Sequence, residues 1–497
     1  MKLITAEWTL SEASASPKSD FAVVVDGARI VDVGPRAEML MAHPEAQIEH
    51  CAGMLLMPAF VNAHDHGRGL GTAALGIPDS ILETWILALR AQPTIAPYLA
   101  AAYDAARLLR SGVTSTAHSH NPRSWRSLSD EAAETVRGYR DAGIRVAFHL
   151  PIVDQNNLTY RGQESFVAQL PDELRALGRG MLASPPIALD EYLSICSDLH
   201  DRWHDAENST VHVQVSPAGA AWCSDALISG CTEWAGARGT RVQMHLLETR
   251  HQRAHAYGAF GKSIVRHLDD LGALGPWLTA AHMVWVDPED VALVSERGVS
   301  VAHNPSSNLR LRSGIAPLSE MHRAGVVLGI GLDGHGLDDD QDYLRELRLA
   351  HVLASMRTAQ PGASAEAPSV HDVFAMATRG GAAATFGGGT PLGALAKGAL
   401  ADLVLIEPSE VMRWQIELSG DPVQVLASQA TRAQVRHVMA NGEWVVRDGQ
   451  CSMIDEQELL REIVAALRTS DGADASRALD EARRLAPWLE RHLADGA

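Results

Sequence analysis

Residues 55–66 read LLMPAFVNAHDH, an apolar run that ends abruptly in His64-Asp65-His66. In an extended chain, side chains two apart point to the same side, so both imidazoles face one point beyond the strand end. Seven further runs have a similar build: VTSTAHSH (113–120), RVAFHLPIVD (145–154), VHVQVSPAG (211–219), RVQMHLLET (241–249), LTAAHMVWV (278–286), VSVAHNPSSN (299–308) and VVLGIGLDGHG (326–336). Helical stretches such as YLAAAYDAARLLRSG (98–112) and SIVRHLDDLGAL (263–274) separate several of them. Eight strands alternating with helices predict an α/β fold, a parallel (β/α)8 TIM barrel whose site lies at the C-terminal ends of its strands. Several runs end in His, Asp, Glu or Asn, where a purely structural strand more often finishes in a neutral turn residue.

Outward from these runs the texture changes. FAVVVDGARIVDVGP (21–35) alternates apolar residues around Asp26-Gly27, a hairpin signal that returns in VRHVMANGEWVVRDGQ (435–450) at Asn441-Gly442. With ADLVLIEP (401–408), these pieces predict a composite β-sandwich from residues 1–57 and 395–455, with the barrel, 58–394, inserted between them. Residues 456–497 read as a charged, C-terminal helical extension that packs on the body or on a neighbouring subunit. The small-residue stretch TAQPGASAEAPS (358–369) reads as an exposed loop.

With 46% hydrophobic residues, the chain of 497 has material for a large core. Its formal charge of −19, from 42 basic and 61 acidic residues, repels phosphate backbones and argues against a nucleic-acid partner. Five scattered cysteines form no CxxC pair, so neither a disulfide framework nor a thiolate zinc site is expected. No signal peptide or membrane span is legible, and a cytoplasmic homo-oligomer is the expectation.

An isolated HxH is ambiguous, and His118-Ser119-His120 is a second one. What distinguishes His64 and His66 is company further along. His245 ends the fifth run with Glu248 three residues on, His282 lies in the sixth, and Asp333 near the end of the eighth. Imidazoles and a carboxylate suit Zn²⁺ and related transition metals.

In this order, PAFVNAHDH, HLLET, AHMVWV, HNPSSNLRLRSGIAP and GIGLDGHG resemble the amidohydrolase superfamily, in its cytosine deaminase-like and chlorohydrolase-like branch. The likeness continues through GALAKGALADLVLIE (393–407) and leaves mainly the C-terminal extension uncovered. It implies one divalent ion held by His64, His66, His245 and Asp333, with Glu248 and His282 as catalytic helpers. Binuclear relatives bridge two ions through a carboxylated lysine or a glutamate on the fourth strand. VHVQVSPAG has neither, and the chain's only lysines are Lys2, Lys18, Lys262 and Lys397. One ion is therefore expected, Zn²⁺, with Fe²⁺ as the alternative because the same ligands hold both.

The chemistry follows from these parts. A bound ion lowers the pKa of its water towards ~7. Asp333 accepts the proton, His282 orients the hydroxide, and Glu248 shuttles the proton to a ring nitrogen and then to departing ammonia. The reading is hydrolytic deamination of an amino-substituted N-heterocycle, such as a purine, pyrimidine, pterin or triazine, by a metal-bound hydroxide. Removal of chloride or alkylamine, or cleavage of an amide, is the alternative; in that case Glu248 is open to a plain salt-bridge role. His118, Trp222, Asn304 and His335 are placed around the substrate, with structural roles open for each; His120 shares the reading of His118. Arg310 and Arg312 read as ion pairs, and Asp338, Asp339, Asp340 and Asp342 as the acidic start of a helix.

Overall fold

The computed structural model describes residues 1–495 apart from 124, 156–157, 161, 183–186, 360–365 and 470–471, so the middle of the 358–369 stretch lies outside the described residues. Four strands open the chain: β1 (Lys2–Thr9), β2 (Phe21–Asp26), β3 (Arg29–Pro35) and β4 (Gln47–Pro58). Eight follow: β5 (Phe60–Asp65), β6 (Val113–Ser119), β7 (Arg145–Ile152), β8 (Val211–Pro217), β9 (Val242–Leu246), β10 (Leu278–His282), β11 (Ser300–His303) and β12 (Val327–Ile330). Four more close it: β13 (Leu403–Ile406), β14 (Val435–Ala440), β15 (Glu443–Arg447) and β16 (Gln450–Cys451).

The run at 55–66 is thus two strands rather than one. Ala59 separates β4, which belongs to the sheet of the chain ends, from β5, which starts the barrel. Strands β5 to β12 lie side by side in sequence order, all parallel. Helices outside and side chains inside cover both faces, which is why β5 to β8 are buried along their whole length and read as near-continuous apolar runs. The fold is the (β/α)8 barrel, with a second sheet drawn from both chain ends.

The seam between β12 and β5 is closed by residues of the candidate site itself. Asp333 N donates to His64 O (2.9 Å) and Leu332 N to Asn62 Oδ1 (2.9 Å). The Tyr343 hydroxyl sits across the same seam, 2.7 Å from Val61 O and 2.8 Å from Ile330 O. Gly331 is required there, since a Cβ would stand 2.9 Å from His64 O.

The second sheet runs β16-β15-β14-β13-β4-β1-β2-β3, with β13 antiparallel to β4, so the returning chain pairs with the strand that feeds the barrel. Its two hairpins turn as the sequence indicates, Gly27 at φ +52 and Asn441-Gly442 at φ +53 and +78. Two helices that the sequence reading did not separate, Glu410–Ser419 and Pro422–Gln429, intervene between β13 and β14. The sheet is locked to the barrel by Arg145, at the start of β7, whose guanidinium makes bonds of 2.8–3.2 Å to the Asp402 carboxylate; both are buried.

The C-terminal extension is two helices, Glu456–Thr469 on the barrel helix Pro97–Leu109, and Gly472–Asp495 on the short helix Leu82–Leu89. The second sinks Leu485, Leu489 and Leu493 into the main core. It thereby backs the helix that forms one wall of the cavity described next.

Candidate active site

Donor atoms of His64, His245, His282 and Asp333 all lie within 4.8 Å of one another at the C-terminal mouth of the barrel. His66 adjoins this group: its Nε2 and that of His64 are each 3.1 Å from Asp333 Oδ1. The first strand reaches this geometry through a register shift against β6 between Asn62 and Asp65, which aims His64 inward. Asp65, between the two histidines, turns away and accepts from His66 N (2.7 Å) and Gly67 N (3.0 Å). The other strand ends bend sharply. Leu247, His282, Met283 and Asp333 all have positive φ, between +47 and +79, conformations that cost about 1–3 kcal/mol each and cluster at functional sites.

The imidazoles are oriented from behind. His64 Nδ1 faces Gln243 Oε1 (2.8 Å), whose amide nitrogen donates to Ala63 O (3.2 Å) and so fixes the amide's orientation. His66 Nδ1 donates to Ser119 O (2.9 Å), His245 Nδ1 to Ala218 O (2.5 Å) and His282 Nδ1 to Asn308 Oδ1 (2.9 Å). With each Nδ1 committed as a donor, each Nε2 keeps its lone pair toward the common point, the arrangement that metal-binding histidines need. His64 Nε2 is buried with no aligned hydrogen-bond partner among the described residues. This donor set fits a divalent ion.

Electrostatics favour neutral rings at three of the four imidazoles; at His64 burial acts to lower the value, but the adjoining Asp333 carboxylate raises it. Burial, reinforced by the neighbouring imidazoles, holds His245 well below its ordinary value, and burial lowers His66 and His282 to about 4. Burial acts to raise Asp333, but His64 and His66 hold it well below the usual carboxylate range. Glu248 behaves oppositely. Burial first, then the charges of Asp333 and Glu83, push it well above that range, and its one favourable partner is Ser313 Oγ at 3.3 Å. Its Oε2 lies 3.7 Å from His282 Nε2. Burial of this kind favours the neutral carboxyl, the form that can act as an acid.

A cavity of about 560 Å³ opens over these groups, bounded by Leu82, Trp85, Ile86 and Leu89 on one side and Ile152 and Trp222 on another. His118 and His120 line it, as does Trp222, whose ring centroid is 5.8 Å from that of His245. Asn304 and His335 do not. Asn304 is fully buried against the His282 ring (3.3 Å), while His335 is enclosed between Trp85 and Asp79 (3.2 Å). Arg310 is an ion-pair residue, bound bidentately to Asp79 (2.9 and 3.0 Å) and to Asp339. Of the acidic run, Asp342 caps the helix Tyr343–Thr358, whereas Asp339 joins the loop after β12 to Arg310 and Arg107.

Gln243, Tyr139, Asp104 and Glu131 were not legible as site residues. Gln243 had a signal, since it stands two before His245 on one strand and therefore shares its inward face. Tyr139, Asp104 and Glu131 come from helices, where one polar residue on a mostly apolar face carries no mark of what it meets.

A parallel barrel with imidazoles and a carboxylate gathered at its mouth defines a metal-dependent hydrolase. The amidohydrolase family model matches residues 55–445, and a model of the bacterial imidazolonepropionase-like composite domain matches residues 22–46. The chain belongs to the amidohydrolase family. It is 28% identical over 423 residues, 84% of this chain and 86% of the other, to the 5'-deoxyadenosine deaminase of Methanopyrus kandleri. It is likewise 28% identical over 461 residues (91% and 93%) to the 5-methylthioadenosine/S-adenosylhomocysteine deaminase of Nitratidesulfovibrio vulgaris. Among solved structures, a zinc-bound adenosine deaminase from Xanthomonas campestris superposes with a TM-score of 0.76 at 26% identity, covering 94% and 97% of the two chains. The zinc complex of the atrazine chlorohydrolase TrzN from Arthrobacter aurescens shares the fold, with a TM-score of 0.78 at 22% identity over 94% and 100%. No helix among the described residues is long and apolar enough to cross a membrane.

Proposed function

We propose that this protein is a zinc-dependent aminohydrolase whose substrate is an adenine nucleoside. The observation that carries the reading is Glu248, a buried carboxyl beside the donor cluster, 3.7 Å from His282 Nε2, whose burial favours its neutral form. Hydrolytic deamination needs such a group, because an amino nitrogen leaves only after it is protonated. The cavity is of the size that encloses a drug-sized ligand, and its apolar walls suit the faces of a purine. The deaminase names of the relatives point the same way.

His64, His66, His245 and Asp333 would hold the ion, with His282 beside them. When bound, it supplies Lewis acidity and lowers the pKa of an attacking water towards ~7. Zn²⁺ is favoured because imidazole nitrogens with one carboxylate oxygen are its usual catalytic ligands. Asp333 takes the first proton of the water. His282, held by Asn308 and Asn304, directs its Nε2 at the incoming oxygen. Glu248 donates its proton to the ring nitrogen next to the carbon under attack, then carries the added hydroxyl's proton to the amino group, which departs as ammonia and leaves a carbonyl; the proton held by Asp333 returns to Glu248 and restores both carboxyl groups.

Ammonia release from a panel of aminated heterocycles, adenosine and 5'-deoxyadenosine first, tests the reading. Glu248→Gln is expected to lower kcat by about 10²–10⁴-fold. Full activity in that variant, or release of chloride or alkylamine in place of ammonia, overturns it.

A further inference from the structure

Arg310 ends the short helix Pro305–Arg310, and its side chain is only 7% exposed. The guanidinium joins three segments at the mouth of the barrel. Nε and Nη2 donate to the two oxygens of Asp79 (2.9 and 3.0 Å), in the segment after β5. Nη1 donates to Gly336 O (2.6 Å) and to the Asp339 carboxylate, both after β12. Gly71 makes that approach possible, since a Cβ there would collide with the Asp339 carboxylate. Arg107, on the helix Pro97–Leu109, binds the same two segments through Gly69 O (3.0 Å) and Asp339 O. Four of the five N–H groups of Arg310 are committed, in a planar fork that lysine does not reproduce.

Neither Arg310 nor Asp79 lines the cavity, but their neighbours do. Leu311 follows Arg310, and Asp79 stands three residues before the helix Leu82–Leu89, which forms one wall. Asp79 also meets His335 Nε2 (3.2 Å), whose ring stands edge-on to Trp85 with centroids 5.2 Å apart. The Arg68 guanidinium lies 5.1 Å from the same indole. The indole on the cavity wall is therefore braced from Arg310 through one carboxylate and one imidazole. The reacting groups are held separately. Asn308, which orients His282, accepts at its backbone oxygen from Ser313 N (2.8 Å) and Gly314 N (3.3 Å).

We infer that Arg310 is a positioning residue that sets the Trp85 wall before substrate arrives. A wall fixed in advance spares the ligand the cost of ordering it. This wall meets the body of a substrate and none of the reacting atoms. Loosening it therefore weakens ground state and transition state alike, which raises KM and leaves kcat. The inference rests on the reading of this cavity as the substrate site, and it holds for any ring the enzyme takes.

The test compares the metal-loaded wild type with Arg310→Lys, which keeps the charge but loses the fork, and with Asp79→Asn. Hydrogen exchange read by mass spectrometry should quicken about tenfold or more in residues 82–89 of both variants, and stay unchanged in the helix Asp225–Arg238. Kinetics use the heterocycle that the ammonia-release panel shows to be turned over best. KM should rise about 10–100-fold, the worth of one hydrogen bond to a charged group, with kcat within about threefold. The double variant should be no worse than the worse single one, because both break one interaction. Unchanged exchange at 82–89, exchange quickened throughout the chain, loss of the metal, or a fall in kcat at unchanged KM overturns the positioning role. If no member of the panel releases ammonia, the deaminase reading falls, and the exchange result alone decides the role of Arg310.

Discussion

Replacing Gln243 with Leu removes a side chain that touches no ion, yet metal affinity should fall. Gln243 Oε1 receives the His64 Nδ1 hydrogen at 2.8 Å, and its amide nitrogen holds that orientation through Ala63 O at 3.2 Å. Leu fills similar volume but offers no acceptor. His64 then loses the bond that keeps its proton on Nδ1, and part of the population moves that proton to Nε2, where it blocks coordination. Outer partners of this kind are worth about 10–100-fold in metal affinity, or about 1.4–2.7 kcal/mol. The stranded Ala63 carbonyl and imidazole N–H add a stability cost of about 1–3 kcal/mol, seen separately in thermal melts. Competition against a chromophoric chelator measures the affinity, with circular dichroism to verify the fold. Gln243→Glu keeps an acceptor facing His64 and should bind at least as tightly as wild type. A folded Leu variant with wild-type affinity would refute the argument that this tautomer is set from behind.

Among the histidines, His66→Ala should lose the ion by more than the roughly 100-fold ceiling of an outer partner, while His282→Asn should keep affinity within about tenfold and lose turnover. Metal content and activity of both variants decide this, and the reverse order would exchange their roles. Asp402→Ala strands the buried Arg145 guanidinium between barrel and second sheet, and should cost about 3–5 kcal/mol by denaturant titration; a loss below about 1 kcal/mol, the value of a surface pair, would show that the pair is not what joins them. Burial and the charge of Asp65 raise Asp104 above the carboxylate range, so ionising it opposes folding. Its contribution is therefore lost as pH rises from about 4, the unfolded value, through about 7, and the Tm difference between wild type and Asp104→Asn should narrow or invert over that window. Parallel Tm curves would count against it.

How much was legible depended on which element carried the residue. His64, His66, His245, His282 and Asp333 sit at the ends of apolar runs, and a parallel barrel brings all such ends to one face. As substrate contacts, Asn304 and His335 rest on weaker ground, the family-like stretches NPSSN and DGHG, with structural roles open for both. Both sit just beyond strand ends, but loop packing turns them behind the site, one against His282 and the other against Trp85 and Asp79. Proximity along the chain to a strand end does not fix which way a loop side chain points.

The sequence by itself determined the barrel and the polar residues at the strand termini, because period-two alternation and strand-helix order are local properties that burial enforces; which strands of the β-rich ends are neighbours, β13 beside β4, is a tertiary fact. Only the tertiary structure decided the rest. The tautomer of His64 depends on Gln243, 179 positions away, and that of His118 on Tyr139, 21 positions away and itself bonded to Asp104, 35 positions from it. The raised state of Glu248 depends on burial and on the nearby charges of Asp333 and Glu83, which outweigh the hydrogen bond from Ser313. Hydrogen bonding and desolvation act through space, so they become definite only when the strands have closed and water has left.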